Sequence, residues 1–325
     1  MLHDNIAINE KGHLTFAGQD TVALAQKYGT PLYLLDENRI RERLRLYKDE
    51  MKACFGAESG PLFAGKSICF KGMYRIAREE GVGIDVVSPG ELYTAKAAGF
   101  PMEKAFFHGN NKTDADIAFA MEAGVGFFVS DSKEELDQIE AQAKANGTVQ
   151  NVLLRLSPGI DPHTFAAVNT GKVDSKFGFA IATGQAEEAV ALALSLPHVK
   201  LLGFHCHIGS QIFESKPFCD AASVMMRFMA KMANRFGVPF PILNLGGGFG
   251  VKYVENDPVL DFKSVIRAIA VHIRTLSDTL SVPMPRVFME PGRSIVADAG
   301  MTLYTVGTVK TITGYKNYVS VDGGM

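Results

Sequence analysis

The stretch Pro61–Ser67 reads PLFAGKS, a short apolar run that ends abruptly in Lys66. Apolar runs of this length are typical of strands buried in a parallel sheet. A lysine at the end of such a strand would be held by rigid backbone, with its amine in a pocket. Burial disfavours the charged form of an amine and leaves a neutral nucleophile, which Schiff-base chemistry requires. The alternative is an ordinary lysine whose stem lies along the surface with its amine in water.

From Pro61 onward, short apolar strands alternate with amphipathic helices. Strands are predicted at Leu62–Lys66, Ile84–Val87, Ala105–His108, Phe127–Ser130, Val152–Leu156, Leu201–His207, Ile242–Leu245 and Arg286–Glu290. Two of the helices begin with a capping box, Ser88 to Glu91 and Ser132 to Glu135. This rhythm predicts an α/β fold, a closed parallel (β/α)8 barrel of the TIM type. An open doubly wound sheet is the competing architecture, and a count of strands does not exclude it.

The end of the chain has a different character. Val296–Met325 is rich in Thr, Val and Tyr with glycine turns and has no helical period, which predicts antiparallel strands. The alternating segment Ile6–Phe16 predicts a strand or hairpin outside the barrel. We therefore expect residues 1–33 to join a partial antiparallel β-domain, residues 34–293 to form the barrel, and residues 294–325 to begin the C-terminal part of the β-domain.

Composition narrows the class of protein. The chain has 325 residues and a net charge of −2, so no excess charge favours nucleic acid or an anionic membrane. The N-terminus lacks the basic start and apolar core of a signal peptide. Widely spaced thiols predict reduced cysteines of a cytoplasmic protein. These cysteines are Cys54, Cys69, Cys206 and Cys219.

In a (β/α)8 barrel the functional site is built at the carboxyl ends of the strands. The residues predicted there are Lys66, Asp85, His108, Arg155, His205, His207, glycines 246–248, Glu290 and Arg293. The run Gly246–Gly250 follows the seventh predicted strand, where such barrels usually bind phosphate, and glycine lets backbone N–H groups approach an anion closely. A flexible turn is the alternative for this run. Its spacing is not that of the dinucleotide-binding fingerprint.

His205 and His207 are predicted to lie on one face of their strand, because side chains alternate along a strand. One interpretation is a metal site, which needs further ligands from other strands, such as His108 or His163. The other is an imidazole that stacks on a flat aromatic ligand while Ser210 donates to a phosphate. The second interpretation is preferred because it needs no further ligands.

Glu290 and Arg293 close the eighth predicted strand. They form a simple ion pair, or they serve a pyridine cofactor, the carboxylate keeping a ring nitrogen protonated and the guanidinium binding an anion. Asp85 and Arg155 are likewise either an ordinary buried pair or the groups that orient Lys66 and the cofactor. Glu91 is interpreted as the capping residue of its helix.

Several stretches, in order and at matching spacing over nearly the whole chain, resemble a known family. They read FAGKS, GIDVVSPGELYTAKAAGF, FFHGNNKT, LLRLSPGIDPHTFAAVNTGKVDSKFGF, FHCHIGSQI, LNLGGGFG and MEPGRSIVADAG. Together they resemble the diaminopimelate decarboxylases, pyridoxal-phosphate-dependent enzymes of the alanine-racemase-like fold. Within this resemblance, Asp161 to Gly178 favours diaminopimelate over ornithine or arginine. FAGKS stands where many members have YALKA, a difference that we expect to be harmless.

The resemblance implies a role for each predicted site residue. Lys66 is implied to bind pyridoxal 5′-phosphate covalently, His207 to stack on its ring and Glu290 to pair with the pyridine nitrogen, which makes these the catalytic residues. The other cofactor contacts are implied for Asp85, Arg155, Ser210, Gly247, Gly248, Gly292 and Arg293. Asp85 and Arg155 support the lysine and the ring, and the rest surround the phosphate. Arg293 is also implied to meet the substrate carboxylate, and no metal is implied.

The activity implied is decarboxylation of meso-2,6-diaminopimelate to L-lysine and CO2, the last step of lysine biosynthesis, by a homodimer with shared active sites. Family racemases place an arginine at the ring nitrogen, so Glu290 favours decarboxylation. The alternatives are decarboxylation of another basic amino acid (ornithine, arginine or carboxynorspermidine), a non-catalytic protein that binds the same cofactor, and a metal-dependent hydrolase using His205 and His207.

Members of the family continue past the position of Met325. By this resemblance the chain is expected to be C-terminally truncated, with the proton donor and the distal substrate contacts beyond its end. Such a chain is expected to bind the cofactor in its barrel, to turn over poorly and to associate through an open sheet edge.

Overall fold

A computed structural model describes residues 3–160 and 175–324 of the chain. The chain divides into two compact units. The larger unit contains Arg41–Lys252 and Pro258–Ser294, and the smaller contains Met1–Ile40, Tyr253–Asp257 and Ile295–Met325. His163 and most of the stretch from Asp161 to Gly178 lie outside the described residues. In the part of the chain that is described, no helix is long and apolar enough to cross a bilayer.

The elements follow one another in a regular order. The strands are β1 (Ile6–Ile8), β2 (Leu14–Phe16), β3 (Gln19–Asp20), β4 (Leu32–Leu35), β5 (Gly60–Ala64), β6 (Gly83–Val86), β7 (Ala105–Phe107), β8 (Phe127–Ser130), β9 (Gln150–Ser157), β10 (Phe179–Ala180), β11 (Val199–His205), β12 (Ile242–Asn244), β13 (Arg286–Met289), β14 (Gly300–Leu303), β15 (Val306–Ile312) and β16 (Lys316–Val321). The helices are α1 (Thr21–Tyr28), α2 (Glu37–Phe55), α3 (Lys71–Glu79), α4 (Pro89–Ala97), α5 (Asp114–Ala123), α6 (Lys133–Ala145), α7 (Gln185–Ser195), α8 (Lys216–Phe236), α9 (Phe262–Leu280) and α10 (Arg293–Val296).

The larger unit is a closed parallel barrel, which confirms the predicted fold class and is incompatible with an open sheet. Its strands run in the order β5, β6, β7, β8, β9, β11, β12, β13 and return to β5. The barrel closes where β13 pairs with β5, with Phe288 opposite Gly60 and Met289 opposite Pro61. The short strand β10 pairs with the end of β9 outside this circuit.

Apolar side chains fill the barrel. Its strands are buried on both faces, which is why the sequence shows continuous apolar runs there rather than alternation. One buried cluster draws a side chain from five of the strands: Leu62, Phe106, Val129, Leu153 and Ile242. A filled interior leaves the loops at the carboxyl ends of the strands as the place for a functional site.

The predicted starts of α4 and α6 are confirmed, with one difference. Ser88 Oγ accepts a hydrogen bond from the N–H of Glu91 at 3.2 Å, and Ser132 Oγ from that of Glu135 at 3.1 Å. The Glu91 carboxylate accepts a hydrogen bond from the N–H of Val87, the residue before the cap, at 2.8 Å. The Glu135 carboxylate likewise accepts from the N–H of Asp131 at 3.0 Å. These carboxylates therefore tie each helix to the strand before it, β6 or β8, which a capping box does not do.

The smaller unit is built from short antiparallel pairs, as predicted for the C-terminal segment. β15 pairs with β16, and β14 pairs with β4. The strand from the N-terminal segment that pairs with this region is therefore β4, and the segment predicted at Ile6–Phe16 folds on itself as β1 and β2. The reason is a local turn, in which Asn9 Oδ1 accepts from the N–H groups of Lys11 and His13, both at 3.0 Å.

Candidate active site

Lys66 lies just beyond the barrel strand that was predicted to contain it. β5 ends before it, and Gly65–Ser67 form a single 3₁₀ turn on which Lys66 is exposed. The prediction of a strand lysine with a buried amine is therefore wrong. The turn is packed closely at Gly65, where a Cβ would lie 2.6 Å from the Tyr74 hydroxyl and 2.9 Å from the Glu91 carboxylate. The side chain of Lys66 thus projects from a backbone that α3 and α4 hold in place.

Glu290 is the centre of a buried polar cluster. Its Oε1 lies 2.7 Å from Asn244 Nδ2 and 3.0 Å from His108 Nε2. Its Oε2 lies 3.2 Å from His205 Nε2. The four side chains come from the carboxyl ends of β13, β12, β7 and β11, and all are buried. A carboxylate only accepts hydrogen bonds, so Asn244 and His205 donate to Glu290.

The charge state of this cluster follows from its surroundings. Burial by itself would raise the pKa of Glu290, but the adjacent His108 and His205 rings hold that pKa well below its usual range. Burial lowers the pKa of His205 to about 4, although Glu290 opposes the shift. Near neutral pH the site therefore contains an ionised Glu290 and a neutral His205.

His108 also lies beside a second buried carboxylate. Its Nε2 is 3.6 Å from Oδ1 of Asp85, at the end of β6. Burial raises the pKa of Asp85, against the opposing charges of His108 and Lys66. Among the described residues, Asp85 Oδ1 has no hydrogen-bond partner. A buried oxygen without a partner marks a place where another group is expected.

Arg155 lies in β9 with its guanidinium buried. Its Nε is 3.9 Å from Asp131 Oδ2, and the guanidinium carbon is 4.2 Å from the centre of the Phe177 ring. Burial lowers the pKa of Arg155, and the carboxylates of Asp131, Glu290 and Asp85 oppose this shift. Asp131 follows β8 and was missed in the sequence because its neighbours suggest only a helix cap.

His207 lies beyond the end of β11, against the glycine run. Its Nδ1 accepts a hydrogen bond from the N–H of Gly247 at 3.2 Å, so the proton of the neutral ring is on Nε2. Burial, together with the charges of Lys66 and Arg155, lowers the pKa of His207 well below its usual value. The ring is therefore a neutral, oriented plane rather than a cation.

Backbone hydrogen bonds join the loops after β11 and β12 into one surface. The N–H of Ile212 donates to Gly248 O and that of Gly250 donates to Ile212 O, both at 2.9 Å. The Gln211 side chain makes two further bonds, to the N–H of Val251 at 2.9 Å and to its carbonyl at 3.1 Å. The predicted Ser210, Gly247 and Gly248 lie in these joined loops.

The loop after β13 packs on the turn that carries Lys66. A Cβ at Gly292 would lie 2.9 Å from Ala64 Cβ and 3.1 Å from Ser67 Oγ. Arg293 follows as the first residue of α10 and is exposed. The structure therefore places all the cofactor residues predicted from the sequence at the carboxyl end of the barrel.

The histidines do not group as the metal interpretation supposed. His205 contacts Glu290, whereas His207 contacts Gly247. Within residues 3–160 and 175–324, the group of three possible ligands whose atoms lie within 4.8 Å of one another is instead His108, His205 and Glu290. The position of His163 lies outside the described residues. The pairing of His205 and His207 as joint ligands is therefore wrong, and a metal at the other group stays a hypothesis.

A buried ion pair missed in the sequence fixes the loop that follows β7. Lys112 Nζ donates to Glu135 Oε1 at 2.8 Å and to the carbonyls of Gly109 and Val129 at 2.9 Å each. These three bonds use all the hydrogens of the ammonium. The loop after His108 is thereby tied to β8 and α6. The motif FFHGNNKT hinted at this, because its lysine stands between a buried strand and a helix start.

Replacement of Gly248 by alanine is expected to destabilise the protein by at least about 2 kcal/mol. Gly248 has φ +110°, and a Cβ there would lie 2.3 Å from Gly209 O. Gly237 is the matched control, because it has φ +69° but no atom within 4 Å of the Cβ position. Gly237→Ala carries only the left-handed strain, about 1 kcal/mol. Urea unfolding of both variants measures the difference in their free energies of unfolding. Equal midpoints would show that the joined loops can shift to accommodate the new Cβ at little cost.

Comparison with known proteins gives a consistent result. Residues 37–297 match the family model of the pyridoxal-dependent decarboxylases, pyridoxal binding domain. The diaminopimelate decarboxylase of Bacillus methanolicus is 44% identical over 323 residues, covering 99% of this chain and 74% of the relative. That of Bacillus subtilis is 42% identical, covering 100% and 74%. The crystal structure of diaminopimelate decarboxylase from M. jannaschii in complex with L-lysine superposes with a TM-score of 0.90 at 35% identity, covering 99% and 74%.

Proposed function

The chain belongs to the diaminopimelate decarboxylase family of pyridoxal-phosphate-dependent enzymes, and from this premise we propose that it converts meso-2,6-diaminopimelate to L-lysine and CO2. The observation that carries the proposal is the buried Glu290 at the carboxyl end of the barrel, with its carboxylate hydrogen-bonded to Asn244 and His205. Residues 34–293 are the cofactor-binding barrel in this proposal, a division supported by the family match over residues 37–297.

The residues present fit pyridoxal phosphate. The cradle is made by glycines at which a side chain would collide with backbone, such as Gly247, whose Cβ would lie 2.2 Å from Glu290 O. Close backbone of this kind suits an anion such as phosphate. His207 offers a neutral ring plane, Glu290 offers an acceptor for a ring N–H, and Asp85 Oδ1 is a buried oxygen without a partner among the described residues. The donor set therefore matches an aromatic, phosphorylated cofactor.

The cofactor, when bound, supplies a conjugated ring that accepts the electron pair left by the departing carboxylate. Under this proposal the residues of the chain hold and orient the cofactor and the substrate. Lys66 would hold the cofactor covalently through its amine until a substrate amine replaces it, while His207 would stack on the ring. Glu290 would keep a proton on the ring nitrogen, which would make the ring a strong electron acceptor. Arg293 binds the substrate carboxylate.

Two groups of residues support these contacts in the proposal. Asp85 and Arg155 orient the lysine and the ring from β6 and β9. Ser210, Gly247, Gly248, Gly292 and Arg293 surround the phosphate. The joined loops after β11 and β12 contain Ser210, Gly247 and Gly248, so the phosphate contacts proposed here would lie on a surface that its own hydrogen bonds already order.

We also propose that the protein is a cytoplasmic homodimer whose active sites are shared between subunits. Its support is the family resemblance together with apolar side chains that β15 and β16 expose within the smaller unit. Val309 and Val319 are 58% and 57% exposed on opposed positions of this pair. Exposed apolar surface of this kind is typical of interfaces. Sedimentation at several protein concentrations measures the state, and a concentration-independent monomer would contradict the proposal.

The experiment that tests the function is CO2 release from a panel of amino acids by protein supplied with pyridoxal phosphate. The panel contains meso-diaminopimelate, ornithine, arginine and carboxynorspermidine, each with and without a chelator. We expect release from meso-diaminopimelate, unaffected by the chelator. Release from ornithine or arginine instead would identify that amino acid as the substrate and would contradict the assignment of diaminopimelate. A cofactor chromophore without any release would indicate a non-catalytic binder, and chelator-sensitive activity with one zinc per chain would indicate a metal enzyme.

A further inference from the structure

Side chains from three other strands surround the carboxylate of Glu290, and none of them has a role in the function proposed above. Asn244 and His108 contact one oxygen, and His205 contacts the other. Asn244, His205 and Glu290 are each at least 95% buried. A carboxylate buried without such donors would take up a proton, because water no longer stabilises its charge.

His205 can act as a hydrogen-bond donor to Glu290. Its pKa of about 4, lowered mainly by burial, makes the ring neutral, so it carries one ring proton. Since Glu290 only accepts, that proton is on Nε2. The other nitrogen, Nδ1, is buried and has no hydrogen-bond partner among the residues that the structure describes. Among the described residues, Glu290 is therefore the hydrogen-bond partner that orients this ring, which also packs edge-on against the His108 ring at 4.8 Å between centroids.

Asn244 links Glu290 to the glycine run. Its Nδ2 donates to Glu290 Oε1 at 2.7 Å while its Oδ1 accepts from the N–H of Gly246 at 2.9 Å. The backbone N–H of Glu290 in turn donates to Gly246 O at 2.9 Å. One amide therefore fixes both the side chain of Glu290 and the loop beside it, so rotation of the carboxylate would break several bonds at once.

His108 lies between the two buried carboxylates of the site. Its Nε2 is 3.0 Å from Glu290 and 3.6 Å from Asp85, yet it makes a well-aligned hydrogen bond to neither. The backbone that follows His108 is tied down by Lys112, which donates to Gly109 O and to Glu135. His108 thus acts on Glu290 through proximity, whereas His205 and Asn244 act through directed hydrogen bonds.

We propose that His205, Asn244 and His108 are positioning residues that keep Glu290 ionised and aimed at the pyridine nitrogen of the cofactor. The proposal rests on the proposed function, since it concerns a contact to that cofactor. Its consequence is that the strength of the contact between Glu290 and the ring nitrogen depends on all three residues. Removing any one of them should weaken this contact. Removing His205 or His108 should leave the phosphate and lysine contacts unchanged, whereas removing Asn244 also frees the N–H of Gly246 in the glycine run.

The test compares the affinities of each variant for two probes. One is pyridoxal phosphate, and the other is its analogue with the ring nitrogen replaced by carbon. Both carry the same aldehyde and phosphate, so the ratio of their dissociation constants isolates the ring nitrogen. Binding is followed by absorbance in the absence of substrate, which makes the readout independent of activity. Damage to the glycine loop, for example in Asn244→Leu, weakens the binding of both probes equally, so it cancels in the ratio of their dissociation constants.

Wild-type protein is expected to prefer the natural cofactor by about tenfold or more, the scale of one hydrogen bond to a charged group. Glu290→Gln should reduce the ratio to near one. His205→Leu, His108→Leu and Asn244→Leu should each reduce it at least about threefold, and none should reduce it further in the Glu290→Gln background. His205→Gln should retain most of the preference, because a glutamine amide places a donor near the position of Nε2.

His198→Leu is the matched control. His198 directly precedes β11 at the end opposite His205 and pairs with Glu140 at 2.7 Å, so the same chemical change is made next to the same strand but away from the site. Its ratio should equal that of the wild type. Circular dichroism of the apo-proteins checks folding, and if a leucine variant does not fold, His205→Gln compared with His205→Asn, whose shorter amide falls short of Glu290, gives the same comparison.

The possible results separate the two proposals. Wild-type ratios in the folded leucine variants would overturn the inference while leaving the proposed function intact. A wild-type protein that binds both probes equally would also overturn it, because Glu290 would then make no contact to the ring nitrogen. Failure of the wild type to bind either probe through a borohydride-reducible bond would overturn the proposed function itself.

Discussion

Lys66→Ala is expected to remove the borohydride-reducible chromophore completely and to lower turnover by about 10³-fold or more, the scale observed when an enzyme loses its nucleophile. The amine of Lys66 is the proposed covalent attachment of the cofactor, and no neighbouring lysine occupies the same turn. Because Lys66 is exposed on a turn held by other residues, its truncation should change the free energy of unfolding by no more than about 0.5 kcal/mol.

The measurement is borohydride reduction followed by mass spectrometry of the labelled peptide, beside turnover of meso-diaminopimelate. Lys104→Ala is the matched control, since Lys104 is also exposed but precedes β7 at the amino end of the barrel. The control should keep both the label and the activity. A label that persists in Lys66→Ala would show that another lysine carries the cofactor, and the assignment of the site to this turn would be abandoned.

Glu290→Gln is expected to lower kcat by about 10²- to 10³-fold, the scale of other electrostatic contributions to catalysis. The substitution keeps the shape of the side chain and removes the charge that keeps the ring nitrogen protonated. The fold should survive, because Asn244 can still donate to the amide oxygen and the neutral His205 can move its proton to Nδ1 and accept from the amide nitrogen.

Cofactor affinity should fall in Glu290→Gln by only about tenfold, since one contact among several is lost. Turnover at saturating cofactor, measured beside the dissociation constant, separates the two effects. Glu135→Gln is an informative comparison, because Glu135 is also a buried, paired carboxylate but faces Lys112. It should lower stability rather than kcat at saturating cofactor. An unchanged kcat in Glu290→Gln would refute the role of the carboxylate in the electronics of the ring.

The barrel strands could be predicted because each is a short apolar run between glycine, proline or helix-start signals. The predicted ends differ from the observed ends by at most two residues: both ends of β8 were predicted correctly, whereas β5 stops at Ala64 rather than Lys66. Apolar periodicity does not report where a strand stops. Directly after β5 the chain enters a 3₁₀ turn at Gly65, where the Tyr74 hydroxyl and the Glu91 carboxylate from two helices leave no room for a side chain.

The donors around Glu290 could not be predicted in the same way. Asn244 and Glu290 become neighbours only because β12 and β13 pair, and His108 joins them from the other side of the closed barrel. A single sequence shows which residues stand at strand ends but not which of them turn toward the same atom. The pairing of β4 with β14 is a similar case, because its register depends on contacts between distant parts of the chain.

During synthesis of the chain, Lys66 is added roughly 220 residues before Glu290. The two sides of the site become joined only when β13 closes onto β5, through the pairs Phe288–Gly60 and Met289–Pro61. Until that seam forms, a nascent chain holds the lysine but not the carboxylate, and it cannot bind the cofactor at full strength. A ligand that touches both sides of the seam binds the closed form alone and stabilises it by mass action. If pyridoxal phosphate binds Lys66 and Glu290 as proposed, we expect its supply to raise the yield of folded protein as well as to serve catalysis, because cells degrade chains that stay unfolded.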